Sequence, residues 1–324
     1  MTQAIRIHAN GGPEVMLWED VPTPEPGPGE ALVRHEAVGL NYIDVYFRTG
    51  LYKAPLPATP GMEGAGTVLA VGAGVTEVKP GDRVAYAGGP IGAYATERAI
   101  AADRLVVLPD DIDATTGAAM MLQGMTAQYL LRDSYRVQPG DTVLFHAAAG
   151  GVGLIACQWL KALGATVVGT VGSDAKADLA RAHGCDHTIV YTRENFAERV
   201  LELTGGAGVP VVYDGIGKDT FMGSLGCLAP RGMMVSYGNA SGPVPPFDLS
   251  LLSAKGSLKL TRPTLMTYTA RRDLLEPMAA DLFDVVTSGK VKIEIHQRYE
   301  LLDAAQAHRD LESRKTTGST ILLP

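Results

Sequence analysis

The stretch HAAAGGVG, residues 146–153, decides how this chain is read. Before it stands a continuous apolar run, TVLF (142–145), and after it an apolar-rich helical pattern, GVGLIACQWLKAL (151–163), then a second buried strand, ATVVGTV (165–171). Strand, glycine turn, helix and strand in about thirty residues is the size of a dinucleotide-binding βαβ unit. Within the turn, Ala148-x-Gly150-x-x-Gly153 follows the G-x-G-x-x-G pattern with alanine at the first glycine. Gly150 lets backbone approach a pyrophosphate and Gly153 lets helix and strand pack closely. Free N–H groups at the helix start, on Gly151 and Val152, present partial positive charge to an anion.

The same segment bears on which dinucleotide is bound. An acid about twenty positions beyond the motif's start would grip the ribose 2′-OH of NAD. Counting from Ala148 reaches Val168, and the strand then runs out through Gly169, Thr170, Val171, Gly172 and Ser173 with no acid. Asp174 reads better as a first-turn helix residue. Lys176 offers a cation where a 2′-phosphate would lie, although a solvated surface lysine accounts for it equally. Tyr191 closes the next strand and is placed to flank an adenosine, or to pack an edge. The balance favours NADPH.

Further strands carry the sheet on. VPVVYD (209–214) is followed by Gly215-Ile216-Gly217, and GMMVSY (232–237), ending in Tyr237, by Gly238-Asn239. Ligands of open α/β sheets bind beyond the carboxyl ends of strands, so glycines at both ends leave room for the nicotinamide half.

Around this block the character of the chain changes twice. Residues 1–123 show short alternating runs broken by clusters such as PTPEPGPGE (22–30), which predict loop-rich antiparallel β structure. Residues 124–263 repeat strand, glycine turn and helix, the pattern of a parallel sheet. Residues 264–324 return to mixed structure, with 274–289 reading as a helix ended by Gly289, and would complete the first domain around an inserted one. The length of 324 residues also argues for two domains.

Composition excludes several functions. A net charge of -7 gives no electrostatic reason to bind nucleic acid or an anionic membrane, so small molecules are the expected partners. No window approaches the roughly 20 apolar residues of a membrane span, and MTQAIRIHAN lacks a signal-peptide core. Cys157, Cys185 and Cys227 are widely spaced in apolar surroundings and read as buried small hydrophobes, consistent with a reducing, cytoplasmic setting.

In GLNYIDVYFRTG (39–50), Asn41 with Asp44 three residues on and Gly50 at the end predicts a short helix capped at both ends. Tyr42 and Tyr46 then share a face, as core packing or as a pocket wall.

These residues, with HANGGPEV (8–15), GLNYIDVYFRTGLY (39–52), GDRVAY (81–86), HAAAGGVGLIACQWLKALGA (146–165), VVYDGIGKDT (211–220), RGMMVSYGN (231–239) and LESRKTTGS (311–319), resemble the zinc-independent medium-chain dehydrogenase/reductases, specifically the bacterial NADPH:quinone oxidoreductases related to zeta-crystallin. The resemblance implies a Rossmann doubly wound parallel sheet plus a mostly β, GroES-like catalytic domain, with NADPH lying between them and a quinone as hydride acceptor. It implies that Asn41, Tyr46 and Tyr52 lie beside the nicotinamide and quinone. As cofactor contacts it adds Arg314, Tyr237, Gly238 and Asn239, and it implies a homodimer paired through the apolar tract 246–261. The zinc branch of the superfamily is set aside because PGMEGAG (60–66) holds Met62 where that branch has histidine, and no cysteine precedes residue 157. One departure stands out: the resembled enzymes commonly carry lysine at Gln123. Thr126, one turn nearer the helix end, is a candidate partner for the nicotinamide carboxamide, or bonds its own backbone.

The expectation is a metal-free, NADPH-dependent quinone reductase. An enone or 2-alkenal reductase needs similar geometry and remains the alternative among enzymes. A non-catalytic NADPH-binding protein, structural or RNA-associated, is the alternative outside them, and the acidic balance disfavours RNA.

Overall fold

The computed structural model describes residues 1–324. Its strands are β1 (Thr2–Ile7), β2 (Met16–Val21), β3 (Glu30–Leu40), β4 (Glu63–Val71), β5 (Arg83–Ala87), β6 (Glu97–Ala101), β7 (Val106–Val107), β8 (Thr142–Phe145), β9 (Thr166–Val171), β10 (His187–Val190), β11 (Val209–Asp214), β12 (Leu228–Ser236), β13 (Lys259–Thr261), β14 (Ile295–Glu300) and β15 (Ser319–Leu323). Its helices are α1 (Tyr42–Thr49), α2 (Ala114–Tyr129), α3 (Gly151–Ala162), α4 (Asp174–Ala182), α5 (Phe196–Leu203), α6 (Phe221–Gly226), α7 (Ser250–Ala254), α8 (Leu265–Tyr268), α9 (Arg272–Thr287) and α10 (Ala304–Glu312). They form two compact units, one of Met1–Met125, Tyr268–Thr287 and Ile293–Pro324, the other of Thr126–Thr267 with Ser288–Lys292.

The first unit is built on a seven-stranded sheet in the order β14-β15-β3-β4-β5-β7, with β6 also paired to β3, beside a β1–β2 hairpin. Alternation makes the long central strand: Ala31, Val33, His35 and Ala37 point into the core while Arg34 and Glu36 face water. Ile5, Ile7, Val33, Val38, Leu40 and Tyr94 are among the residues that fill this core. Inside it, His35 Nδ1 meets the Ala95 carbonyl at 2.6 Å and Nε2 meets the Tyr86 hydroxyl at 2.8 Å. Burial lowers its pKa to about 4, so the imidazole is neutral at physiological pH.

The second unit carries a six-stranded sheet, β10-β9-β8-β11-β12-β13, parallel throughout. From β8 the chain steps outward to β9 and β10, then returns to β11 on the other side of β8 and steps outward again. The strand order therefore reverses between β8 and β11, and the loops leaving those two strands line the crevice where such sheets bind ligands. Leu144, Val168, Ile189, Val212 and Met234, one from each of five neighbouring strands, form a continuous buried layer under the helices.

Three details differ from the sequence reading. β12 begins at Leu228, before the glycine expected to open it, and ends at Ser236. The apolar tract 246–261 is not continuous strand: α7 interrupts it, and only β13 joins the sheet, at its edge. Wide sequence spacing hid a cysteine pair: Cys157 on α3 and Cys185 ahead of β10 are both buried, with sulfurs 3.5 Å apart. A Cβ on Gly169 would stand 2.6 Å from the Cys185 sulfur, so the small residue on β9 is what admits the thiol. Burial pushes the third thiol, Cys227, up to about 12, against the opposing charge of Lys255.

Candidate active site

In the second unit the fingerprint turn is shaped by backbone contacts. Ala147 takes a left-handed conformation, φ 54°, and its carbonyl accepts from the Gly150 N–H at 2.9 Å. A Cβ on Gly153 would come within 2.3 Å of the Ala147 oxygen, so glycine is required there, as the motif predicts. Gly150 is the N-cap of α3 and offers no side chain to its first turn. The N–H groups of Gly151 and Val152 thus begin a helix without a side-chain cap, beside a glycine that leaves the approach open. A diphosphate fits this cradle by charge and by donor geometry.

At the end of β9, Gly172 packs under Tyr191, whose hydroxyl would lie 2.9 Å from a Cβ added to the glycine. Ser173 caps α4 by accepting from the Lys176 N–H at 3.4 Å, which sets Lys176 in the helix's first turn. Asp174 heads the same helix, as the sequence indicated, and is also bound by Arg193 at 2.7 Å in an ion pair. Arg193 was not singled out by the sequence, because 19 residues separate it from its partner.

The loops after β11 and β12 interlock. Asp214, fully buried at the strand end, accepts from Ile216 N–H (2.8 Å), Gly217 N–H (3.0 Å), the Thr220 hydroxyl (2.7 Å) and the Ser224 hydroxyl (2.9 Å). This carboxylate braces the turn around Gly215. A Cβ on Gly215 would lie 2.9 Å from the Tyr237 ring, and one on Gly238 would lie 2.3 Å from the Gly215 oxygen. Both glycines are needed for the two strand ends to approach. With its amide turned to satisfy its neighbours, the oxygen of Asn239 accepts from Arg262 at 3.0 Å. His146, at the head of the fingerprint, is held between the Thr170 and Ser224 hydroxyls at 2.9 Å each, and burial lowers its pKa. Asp214, Arg262 and His146 were missed by sequence reading, because each acts through partners on other elements.

In the first unit, α1 is capped at both ends as the sequence predicts, with Asn41 at the N-cap and Gly50 at the left-handed C-cap, φ 82°. Asn41 and Asp44 form the capping box, in which the Asp44 carboxylate accepts from the Asn41 N–H at 2.9 Å. The Asn41 amide also reaches other elements, its Nδ2 lying 2.6 Å from Glu63 Oε2 and its Oδ1 3.2 Å from Gln123 Nε2. Gln123 Oε1 in turn lies 2.8 Å from the Ser319 hydroxyl, which also reaches the Ala119 carbonyl at 2.7 Å. Glu63 Oε1 accepts from the Leu122 N–H at 2.7 Å. Asn41, Glu63, Gln123 and Ser319 are all buried.

No cation offsets Glu63. Burial raises its pKa to about 8, against the hydrogen bonds from Leu122 and Asn41, and nearby Asp44 pushes the same way. Burial likewise raises Asp44 to about 7. Its carboxylate also receives the Tyr94 hydroxyl at 3.1 Å, and Tyr94 touches His308 at 3.0 Å. His308 leads through Arg48 to Glu312, an ion pair of 2.8 Å at the edge of the unit.

Tyr46 and Tyr52 stand edge to face, ring centroids 5.2 Å apart, with Tyr42 at 6.1 Å from Tyr46. Asn41, Gln123, Tyr46 and Tyr52 thus belong to one unit, the two amides hydrogen-bonded to each other and the two tyrosine rings in contact. Ala148, Gly150, Gly151, Val152, Gly172, Ser173, Lys176, Tyr191, Gly215, Tyr237, Gly238 and Asn239 gather at the strand ends of the other. Thr126 is buried in the last turns of α2. Arg314 stands exposed in the turn after α10, in a left-handed conformation with φ 60°.

The position equivalent to the zinc branch's metal does not fit that ion. Glu63 is engaged by an amide and a backbone N–H, its neighbour Met62 offers a thioether, and no group of three His, Cys, Asp or Glu residues is placed to hold a metal.

Residues 27–139 match the model of the alcohol dehydrogenase GroES-like domain, and residues 151–279 that of the zinc-binding dehydrogenase family. Over the whole length of both chains, the protein is 57% identical to a quinone oxidoreductase of Pseudomonas aeruginosa. It is 46% identical to a 2-haloacrylate reductase of Burkholderia, covering all of this chain and 99% of that one. The crystal structure of Escherichia coli quinone oxidoreductase complexed with NADPH superposes over both full chains with a TM-score of 0.98 at 47% identity. Fold and site together define a medium-chain dehydrogenase/reductase. Within that class, the chain belongs to the quinone oxidoreductase family.

Proposed function

We propose that this protein is an NADPH-dependent reductase whose hydride acceptor is a quinone. One observation carries the cofactor half: α3 starts on an uncapped glycine turn, ready for a diphosphate, while β9 ends without the acid that would select NAD. The full-length relatives, which are quinone oxidoreductases, support the acceptor. When bound, NADPH supplies the hydride from its nicotinamide ring.

The chain's residues bind and orient. Ala148, Gly150, Gly151 and Val152 line the diphosphate turn, and the N–H groups of Gly151 and Val152 at the start of α3 face its charge. Gly172, Ser173 and Lys176 receive the 2′-phosphate, the lysine as a point charge, and Tyr191 flanks the adenosine. Gly215, Tyr237, Gly238 and Asn239 make room for the nicotinamide half, fixed in shape by Asp214. Thr126, Gln123 and Asn41 orient the carboxamide end, and Arg314 adds a cofactor contact. Tyr46 and Tyr52 position the acceptor ring. Neither tyrosine must give up a proton, because the oxygens of a hydroquinone are protonated by water.

The 2-haloacrylate reductase relative supports a second reading, reduction of an activated alkene, in which Tyr46 or Tyr52 protonates the α-carbon. Turnover of NADPH against a para-quinone, an ortho-quinone and a simple enone separates the two readings. Quinone reduction is expected, and reduction of the enone alone overturns the quinone assignment. No helix is long and apolar enough to cross a membrane, and a cytoplasmic location accords with the buried free thiols. We assign a homodimer joined through the open edge of β13, which has no strand on its outer side.

A further inference from the structure

The amides of Asn41 and Gln123 form a hydrogen-bonded row with Glu63 at one end and Ser319 with the Ala119 carbonyl at the other. Its four contacts are 2.6 Å (Glu63–Asn41), 3.2 Å (Asn41–Gln123), 2.8 Å (Gln123–Ser319) and 2.7 Å (Ser319–Ala119 oxygen). Each contact needs one proton. With Glu63 ionised, the row must be donated toward it: Asn41 Nδ2 to the carboxylate, Gln123 Nε2 to Asn41 Oδ1, and the Ser319 hydroxyl to Gln123 Oε1. Ser319 has a single hydrogen, so its 2.7 Å approach to the Ala119 oxygen is then left with no proton between two oxygens.

A protonated Glu63 removes the conflict. Amide oxygen and nitrogen occupy nearly the same space, so both amides can turn over without moving a heavy atom appreciably. The acid then donates to the Asn41 oxygen, Asn41 nitrogen donates to the Gln123 oxygen, Gln123 nitrogen donates to Ser319, and Ser319 donates to the Ala119 carbonyl. Four contacts receive four protons. The 2.6 Å separation at Glu63 is also short for an amide donating to a carboxylate and ordinary for an O–H donor.

We propose that Glu63 is a positioning residue whose protonation sets the direction of this row, and with it which face of the Asn41 amide, donor or acceptor, is offered to bound ligand. The last step rests on the reading of Asn41 as a cofactor or substrate contact. The groups facing Glu63 add no counter-charge. Asp44 is the nearest other acid, and Tyr94 lies on its far side. Tyr86, on β5 beside β4, has Arg98 at 3.1 Å and the neutral His35 at 2.8 Å on its hydroxyl. Burial without a cation keeps the acid form at neutral pH, in agreement with the proton count. Hydride transfer adds negative charge to the acceptor, so an anion one amide away opposes the reaction. Activity therefore falls on the alkaline side as Glu63 ionises.

Glu63→Gln tests the row directly, because a glutamine with its oxygen on the Leu122 N–H presents an N–H to Asn41, as the acid does, at every pH. In nitrogen-15-labelled protein without cofactor, the side-chain amide resonances of Asn41 and Gln123 are expected to move together through an apparent pKa of about 8. In Glu63→Gln they stay at the acid-limit positions, and in Asp44→Asn they still move. In turnover with NADPH, the wild type loses kcat/KM tenfold per pH unit above that pKa, and Glu63→Gln holds its rate. Amides that do not titrate in the wild type, or that still titrate in Glu63→Gln, overturn the proposal. Amides that titrate as expected in a protein that reduces no acceptor uphold the row and overturn the catalytic reading of Asn41.

Discussion

Replacing Glu63 by glutamine should change the pH dependence of stability in a direction opposite to that of a carboxylate paired with a cation. An acid bound by cations has a lowered pKa and stabilises the fold as pH rises; Glu63 has none, and its pKa goes from 4.5 up to about 8. The folded state therefore holds the proton more tightly than the unfolded chain. Stability falls as pH rises between those two values and levels off above the upper one. At 1.36 kcal/mol per pKa unit, the loss between pH 6 and pH 9 is roughly 3 kcal/mol. Glutamine cannot ionise, so the variant should lack this component of the loss. Urea unfolding of wild type and Glu63→Gln across that range, followed by circular dichroism, measures the difference. The reasoning predicts curves within about 1 kcal/mol of each other at pH 6 that separate by roughly 3 kcal/mol at pH 9, the variant being the more stable. Parallel curves would refute it, for they would mean that Glu63 is already ionised and solvated in the fold.

Other expectations follow from single contacts. Lys176→Ala should raise KM for NADPH about tenfold to a hundredfold, the worth of a charged hydrogen bond, and leave NADH kinetics nearly unchanged. Gly153→Ala drives a methyl to 2.3 Å from the Ala147 oxygen, so its thermal unfolding should come earlier, by about 1–3 kcal/mol or more of lost stability, with weaker NADPH binding in titration. Asp214→Asn turns an N–H₂ toward donors that now bond a carboxylate; it should cost about 2–4 kcal/mol in unfolding and raise KM for NADPH by loosening the Gly215 turn.

What the sequence made legible was local. The fingerprint turn, its flanking strand and helix, the absence of an acid after β9 and the glycines at two strand ends all lie within contiguous stretches whose geometry is set by near neighbours. The Asn41 row was not legible. Gln123 and Ser319 lie 196 positions apart, and Asn41 and Glu63 lie 22 apart on different elements. An asparagine before a helix reads in one dimension as its cap, which Asn41 is; that reading says nothing of its further contacts with Glu63 and Gln123. Glu63 itself, next to Met62, drew no reading of its own. Asp214 was passed over because a carboxylate at a strand end shows its purpose only when the N–H groups of the next turn fold back onto it. The cysteine pair was hidden for the same reason, since packing across Gly169 joins residues that lie 28 positions apart.

The central claim is tested most directly by mixing the purified protein with 1,4-benzoquinone and either NADPH or NADH and following the loss of reduced-nicotinamide absorbance together with hydroquinone formed. The account predicts catalysed consumption of NADPH, one equivalent for each hydroquinone, with NADH markedly poorer. NADPH that binds but is consumed no faster than without the protein would contradict it and leave a cofactor-binding protein without this activity.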